Sequence, residues 1–309
     1  MKSTKHARAA RMKSKRLVGK LAVFGVGLIG GSLALALKKH KAVGTVVGVG
    51  RSRKNLLAAR RLGIIDEIAT DPALAVKDAD LVLLAVPLGQ TAAVLAQIAP
   101  HLAERSVVTD AGSTKRKVID HARRQLGARF RRFVPAHPIA GTEKSGAHAA
   151  FPGLFADHNL VLTPEPETDA DALRVVSAVW KRVGMRVTRM KAADHDRVYA
   201  LVSHLPHLIS FAAVGNIAGY DDAAHLFQQT GGGFRDLTRI AGSSPEMWRD
   251  ICIANRDAIL SALDGYLADL EALRGMLEAS DGDGLLAKFA AARAARAKWL
   301  LKAKSASTE

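Results

Sequence analysis

Cysteine is almost absent. Cys252 stands alone among 309 residues, which excludes an internal disulfide and gives no sign of an oxidising compartment, so the cytoplasm is the expected location. Aromatic residues are also scarce, at 5 %, and no basic stripe is interleaved with them. A surface that stacks nucleic-acid bases is therefore a minor reading. Apolar residues reach 49 %, yet no uninterrupted apolar run is about 18 residues long, so no membrane span is expected. Acidic residues are missing before Asp66, and the net charge is +16. Seven of the basic residues fall in residues 1–16, MKSTKHARAARMKSKR, which reads as a disordered basic tail. Without that tail the charge is still about +9, an excess suited to steering small anions.

The glycines that are present are placed with a purpose. Leu21 to Phe24 form a short apolar run, and Gly25, Gly27 and Gly30 follow in G-x-G-x-x-G spacing. A helical run from Gly31 comes next, and a second strand is expected at Thr45–Gly50. Strand, glycines and helix in that order make a dinucleotide-binding turn. Gly25 permits the tight turn, Gly27 lets the backbone approach a pyrophosphate, and Gly30 lets helix pack on strand. Leu28 and Ile29, which open the helix, belong to the same site, and its free N–H groups face the phosphates. The second strand ends without the carboxylate that would accept from a ribose 2′-hydroxyl. It ends in Arg51-Ser52-Arg53, which suits a 2′-phosphate and favours NADP over NAD.

The length fits two domains. Strand–helix alternation continues through the apolar run Asp80–Pro87, a helix at Gln90–Leu102, a strand at Ser106–Gly112 and a helix at Thr114–Leu126. One strand is expected over Arg132–His137, then Asn159–Thr163, a helix over Asp169–Val183 and a strand at Arg186–Met190. From Lys191 the pattern turns helical, with an amphipathic stretch over Glu246–Glu278. The expected architecture is an α/β, Rossmann-like doubly wound domain over 17–190, then an all-α domain over 191–303 and a loose tail over 304–309. Val86, Pro87 and Asp110 close strands on the ligand-bearing edge of such a sheet and join the cofactor site.

Three segments carry candidate chemistry. In Asp110-Ala-Gly-Ser-Thr-Lys115, Ser113 and Thr114 either serve the site or cap the next helix. In Pro135-Ala-His-Pro-Ile-Ala-Gly-Thr-Glu-Lys-Ser-Gly146, His137 sits between two prolines in a stiff loop, a suitable place for a proton-transfer group. The third is Ser203-His-Leu-Pro-His207 with Gly231-Gly-Gly-Phe-Arg-Asp-Leu-Thr-Arg-Ile-Ala241. His204 and His207 are expected to share a helix face, but no cysteine or acid stands at ligand spacing, so no metal site is expected. Arg235 and Arg239 are spaced as an anion clamp or as a solvated face.

GVGLIGGS, DAGSTK, HPIAGTEKSG, SHLPH, GGGFRDLTRIA and SSPEMWRDI, in this order from Leu17 to Leu301, resemble the prephenate/arogenate dehydrogenase family of tyrosine biosynthesis. The resemblance implies oxidative decarboxylation of a cyclohexadienyl substrate with hydride transfer to NAD or NADP. It implies His137 as the base at the ring hydroxyl, Ser113 as the residue orienting it, and Arg239 on a substrate carboxylate. His207 and His204, Thr142 and Trp248 fall at substrate positions. The resemblance also implies that Gly232 and Arg235 lie in a segment that reaches across a homodimer formed by the helical domain. A hydroxyacid dehydrogenase of related architecture and a non-catalytic nucleotide-binding protein are the rival readings.

Overall fold

The computed structural model describes residues 16–142 and 144–305. The basic tail up to residue 15 and residues 306–309 lie outside the described residues. The chain divides into two compact units, one ending at Ile259 and one beginning at Leu260.

In the first unit, six parallel strands build one sheet. These are β1 (Val18–Phe24), β2 (Val43–Val49), β3 (Glu67–Ile68), β4 (Leu81–Leu84), β5 (Val107–Asp110) and β6 (Phe133–Val134), in spatial order β3-β2-β1-β4-β5-β6. That is the doubly wound order, with its switch point between β1 and β4. Successive residues of β1 point to opposite faces. Leu21 and Val23 join Leu33 and Leu37 on one side, while Ala22 and Phe24 join Val82, Leu84 and Phe130 on the other. Both faces are buried, which is why the strands read as unbroken apolar runs. The helices between them are α1 (Leu28–Lys39), α2 (Arg53–Arg61), α3 (Pro72–Val76), α4 (Thr91–Ile98) and α5 (Arg116–Leu126).

The single strand expected over Arg132–His137 is two strands in different sheets. Pro135 separates them; it has no N–H to give to a ladder. Beyond it, β7 (Ala136–Pro138) pairs antiparallel with β8 (Asn159–Leu162), and β8 pairs parallel with β9 (Arg186–Arg189). His137 is thus a strand residue opposite Val161, not a loop residue. α6 (Ala170–Arg182) connects β8 to β9 and buries Trp180 against Phe155, the rings edge to face at 5.1 Å.

α7 (Ala192–Tyr199), a π-helical turn (Ala200–His204) and α8 (Leu205–Ala218) run on as one rod. α9 (Ala223–Gln228), α10 (Gly232–Thr238) and α11 (Pro245–Ala254) follow, and α12 (Arg256–Glu278) crosses into the second unit. The long helix expected over Glu246–Glu278 is broken at Asn255, whose φ of −111° and ψ of 25° end α11. Among the described residues, Ala192–Ala218 is long and apolar enough to cross a membrane by length and composition. Its first half is tied into the fold by polar groups that a lipid-facing span would not carry: His195, Asp196 and His204 are buried and hydrogen-bonded to other elements.

The second unit comprises most of α12 and α13 (Gly282–Ser305), tied by Lys288 Nζ to Asp269 at 2.8 Å. Leu267, Leu270, Leu277, Leu286, Phe289 and Trp299 are exposed on it.

Candidate active site

The glycine turn has the geometry that its spacing requires. Gly25 has φ +94°, and a side chain there would strike the Ala85 carbonyl oxygen at 2.3 Å. A Cβ at Gly30 would meet Gly25 O at 2.3 Å and Val23 Cγ1 at 2.8 Å, so only glycine lets α1 sit this close to β1. Gly27 is different: a Cβ there meets nothing within 4 Å, so its backbone borders open space. α1 begins at Leu28 and Ile29 with no side-chain cap and no acid in its first turn. Its N–H groups and dipole are left for an anion, and a dinucleotide pyrophosphate fits. Val86 and Pro87 follow β4 on the same sheet edge.

At the end of β2 the basic run is partly committed. Ser52 caps α2, its Oγ accepting from Asn55 N at 3.2 Å. Arg51 lies 3.5 Å from Glu246 Oε1 of α11, and both are exposed. Arg53 opens α2 and is exposed.

Asp110, expected at the cofactor, is instead buried scaffolding. It accepts from Lys115 Nζ at 2.5 Å, from Gly112 N at 2.8 Å and from Ala136 N at 3.0 Å, and is 2 % exposed. The Lys115 ammonium is fully buried and also donates to Ala136 O at 2.6 Å; burial lowers its pKa while Asp110 pulls it back up. Neither Ser113 nor Thr114 caps α5. That role falls to Asp196, 80 residues away from Arg116, which accepts from Lys115 N at 2.7 Å and Arg116 N at 2.9 Å.

The end of β7 with the loop after it, the helical rod and the start of α11 line a cavity of about 480 Å³. His137, Thr142, His207, Arg239 and Trp248 line it together, along with Tyr199, Ser203 and Met247. Trp248 is buried and stacks on His207, centroids 3.7 Å apart and planes 21° from parallel. His207 Nδ1 donates to Ser203 O at 2.8 Å, so its Nε2 is free to accept while the ring is neutral. Burial lowers the His207 pKa, and Arg239 adds to that against the Ser203 bond. Arg239 has no carboxylate partner among the described residues, and the cavity therefore holds an unanswered guanidinium.

Four expected residues are elsewhere. His204 is buried, with Nδ1 3.0 Å from Asn255 Nδ2, and does not line the cavity; burial lowers its pKa to about 4. The three-residue spacing does put both histidines beside Trp248, at 6.0 and 3.7 Å between ring centroids, but His204 lies one turn deeper, where Asn255 holds it. Ser113 forms no side-chain hydrogen bond with His137 and is not on the cavity wall. Arg235 and Gly232 sit exposed on α10, apart from Arg239, which lies in the 3₁₀ turn beyond it.

His137 is the acid–base candidate of the cavity. Burial pushes its pKa well below the usual histidine value, reinforced by His195, Lys115 and His204. Its Nδ1 is 2.8 Å from His195 Nε2, a buried partner on α7 that the sequence reading missed. The run Asp194-His195-Asp196 at the start of the helical half is the signal that was available.

The profile of the prephenate dehydrogenase nucleotide-binding domain matches residues 33–189, and that of the prephenate dehydrogenase dimerization domain matches residues 191–291. A cyclohexadienyl dehydrogenase of Zymomonas mobilis is 40 % identical over 278 residues, covering 89 % of this chain and 94 % of that one. The crystal structure of a prephenate dehydrogenase from Aquifex aeolicus, in complex with hydroxyphenyl propionate and NAD+, superposes with a TM-score of 0.84. It is 34 % identical and covers 91 % of this chain and 98 % of that one. A Synechocystis arogenate dehydrogenase gives a TM-score of 0.75 at 29 % identity, covering 91 % and 99 %.

Proposed function

Because the chain belongs to the prephenate dehydrogenase family, we propose that it converts prephenate to 4-hydroxyphenylpyruvate and carbon dioxide, in tyrosine biosynthesis. The observation that carries this reading is one cavity holding a neutral imidazole, His137, and a guanidinium, Arg239, that has no carboxylate partner among the described residues. The substrate is a dicarboxylate with a ring hydroxyl. Arg239 holds the side-chain carboxylate, and Trp248 with His207 forms a wall for the side chain. His137 Nε2 takes the proton of the 4-hydroxyl, so that a carbonyl begins to form at C4. A bound nicotinamide supplies the hydride acceptor; Gly25, Gly27, Leu28, Ile29 and Gly30 would hold its pyrophosphate. Loss of the C1 carboxylate as carbon dioxide then leaves an aromatic ring. A positioned base contributes about 10²–10⁴ in rate. Thr142 borders the same cavity and joins the substrate site. The cytoplasm remains the proposed location.

Arogenate is the second reading, favoured by one contact. With Nδ1 committed to Ser203 O, neutral His207 offers an acceptor, which an amino group satisfies and a keto group does not. A steady-state matrix of prephenate and arogenate against NAD and NADP tests the proposal. Turnover of prephenate supports it, turnover of arogenate alone supports the second reading, and turnover of neither sinks both.

For the cofactor we propose NADP, on Arg51 and Arg53. Glu246 opposes this, because its carboxylate both occupies Arg51 and repels a 2′-phosphate. Glu246→Gln is therefore expected to raise the ratio of kcat/KM for NADP over NAD by about tenfold, the equivalent of about 1.4 kcal/mol. An unchanged ratio would remove Glu246 from the cofactor site.

A homodimer is proposed as well. The exposed Leu267, Leu270, Leu277, Leu286 and Phe289 of the second unit are the large apolar side chains that a partner subunit would cover. Gly232 and Arg235 would then serve the partner's site.

The lowered pKa also has a consequence for pH. A base must be neutral to act, and burial keeps His137 neutral below the ordinary histidine pKa. The acid limb of log kcat/KM is expected to fall only below about pH 6.5. A limb centred above pH 7 would contradict the assignment.

A further inference from the structure

Behind His137 lie two buried side chains that the proposed reaction does not use. His195 Nε2 is 2.8 Å from His137 Nδ1, and His195 Nδ1 is 2.8 Å from Asp196 Oδ1. His195 is 0 % and Asp196 2 % exposed, so no solvent competes for these bonds. We propose that Asp196 and His195 are positioning residues that fix His137 with its proton on Nδ1 and its Nε2 bare toward the substrate hydroxyl. The inference rests on the reading of His137 as the base.

The direction of every bond follows from one end of the chain. The Asp196 carboxylate already accepts from Lys115 N and Arg116 N, at 2.7 and 2.9 Å. Burial alone would raise its pKa, but the bonds from His195 and from these two amides outweigh it and hold the group ionised. An ionised carboxylate only accepts, so His195 Nδ1 must carry hydrogen. Burial keeps His195 neutral, against the pull of Asp196, and the buried ammonium of Lys115 acts in the same sense. A neutral imidazole has one N–H, so His195 Nε2 is an acceptor. His137 Nδ1 is then the donor, which leaves Nε2 as the lone pair. That nitrogen makes no hydrogen bond within the described residues.

The rest of the surroundings keeps both rings in place. Tyr199 packs against His137 with centroids 4.8 Å apart and against His195 at 4.5 Å. Lys115 is answered by Asp110, and His204 is held by Asn255, so neither offers His137 a rival partner. When His137 takes up a proton, the same chain leads the new charge toward the Asp196 carboxylate. Asp196 also caps α5, so its replacement disturbs folding; His195 is the cleaner site for a test.

Two variants separate positioning from packing. His195→Leu keeps the bulk but removes the acceptor; His195→Gln restores a carbonyl that can accept from His137 Nδ1–H while its amide donates to Asp196. His195→Leu is expected to lower kcat at least about tenfold, part of the about 10²–10⁴ of the whole base. KM and the Kd of the oxidised dinucleotide should stay within about twofold, since neither ligand touches His195. His195→Gln should recover most of the loss. Nitrogen-15 spectra of histidine-labelled wild-type enzyme should show His137 protonated at Nδ1 and bare at Nε2, a reading that stands even if the leucine variant does not fold. Wild-type kcat in His195→Leu, an equal loss in both variants, or a proton on His137 Nε2 would overturn the proposal. The reading of the reaction fails separately: it fails if His137→Asn is fully active, whereas an inactive His137→Asn beside an active His195→Leu defeats only the positioning role.

Discussion

His137→Asn is expected to lower kcat by about 10²–10⁴ and to leave the affinity for the oxidised dinucleotide unchanged. Asparagine keeps a polar side chain of similar reach, and its amide can still donate to His195 Nε2. What it lacks is a basic nitrogen on the other side. The proton of the substrate hydroxyl then has no acceptor, and C4 keeps its hydride. Separate measurement of kcat and of dinucleotide binding checks this. Cofactor binding should not move, because the glycine turn between β1 and α1 is held by Val23 and Ala85, not by His137. Near-wild-type turnover would remove His137 from the mechanism.

Arg239→Ala is expected to act on the other term of the rate law. The guanidinium lines the cavity with no carboxylate partner among the described residues, and on the proposed reading the substrate supplies one. Removing one member of a charge-assisted pair costs about 2–5 kcal/mol when the pair is desolvated. Arg239 is exposed before substrate binds, which argues for the lower end, about 2 kcal/mol or a rise of roughly 30-fold in KM. Arg239→Lys should recover only part, since an ammonium cannot grip a carboxylate with two parallel bonds. An unchanged KM in Arg239→Ala would place the substrate carboxylate elsewhere. Loss of kcat alone would show that Arg239 acts in the transition state and not in binding.

The parts of the molecule that were legible in the sequence are those settled by local physics. Glycine at Gly25 and Gly30 could be read because a positive φ and a close helix–strand approach are needed within a few residues of chain. The parallel strands could be read because both faces are buried and most of their residues are apolar. His137 stood out through its flanking prolines, although Pro135 was taken as stiffening a loop when it hands the chain from one sheet to another. What could not be read was settled across distance. Asp196 caps a helix that begins 80 residues earlier, and no capping rule applied to Ser113 and Thr114 can reveal this. The helix break at Asn255 has the same origin, since its side chain is held by Asp196 O at 2.8 Å and approaches His204 Nδ1. His204 and His207 share the Trp248 face as their spacing predicts, but Asn255 holds His204 in the packed interior while His207 borders the cavity, a division set by a residue 51 positions away from His204. Asp110 looked outward because it closes a strand, but the buried Lys115 claims it.

A crystal structure of the enzyme with oxidised dinucleotide and hydroxyphenyl propionate is the most direct measurement. The imidazole of His137 should then present Nε2 to the phenolic oxygen at hydrogen-bond distance, with Nδ1 still on His195 and the carboxylate against Arg239. An imidazole rotated away from the phenol, with no other basic group in its place, would contradict the account.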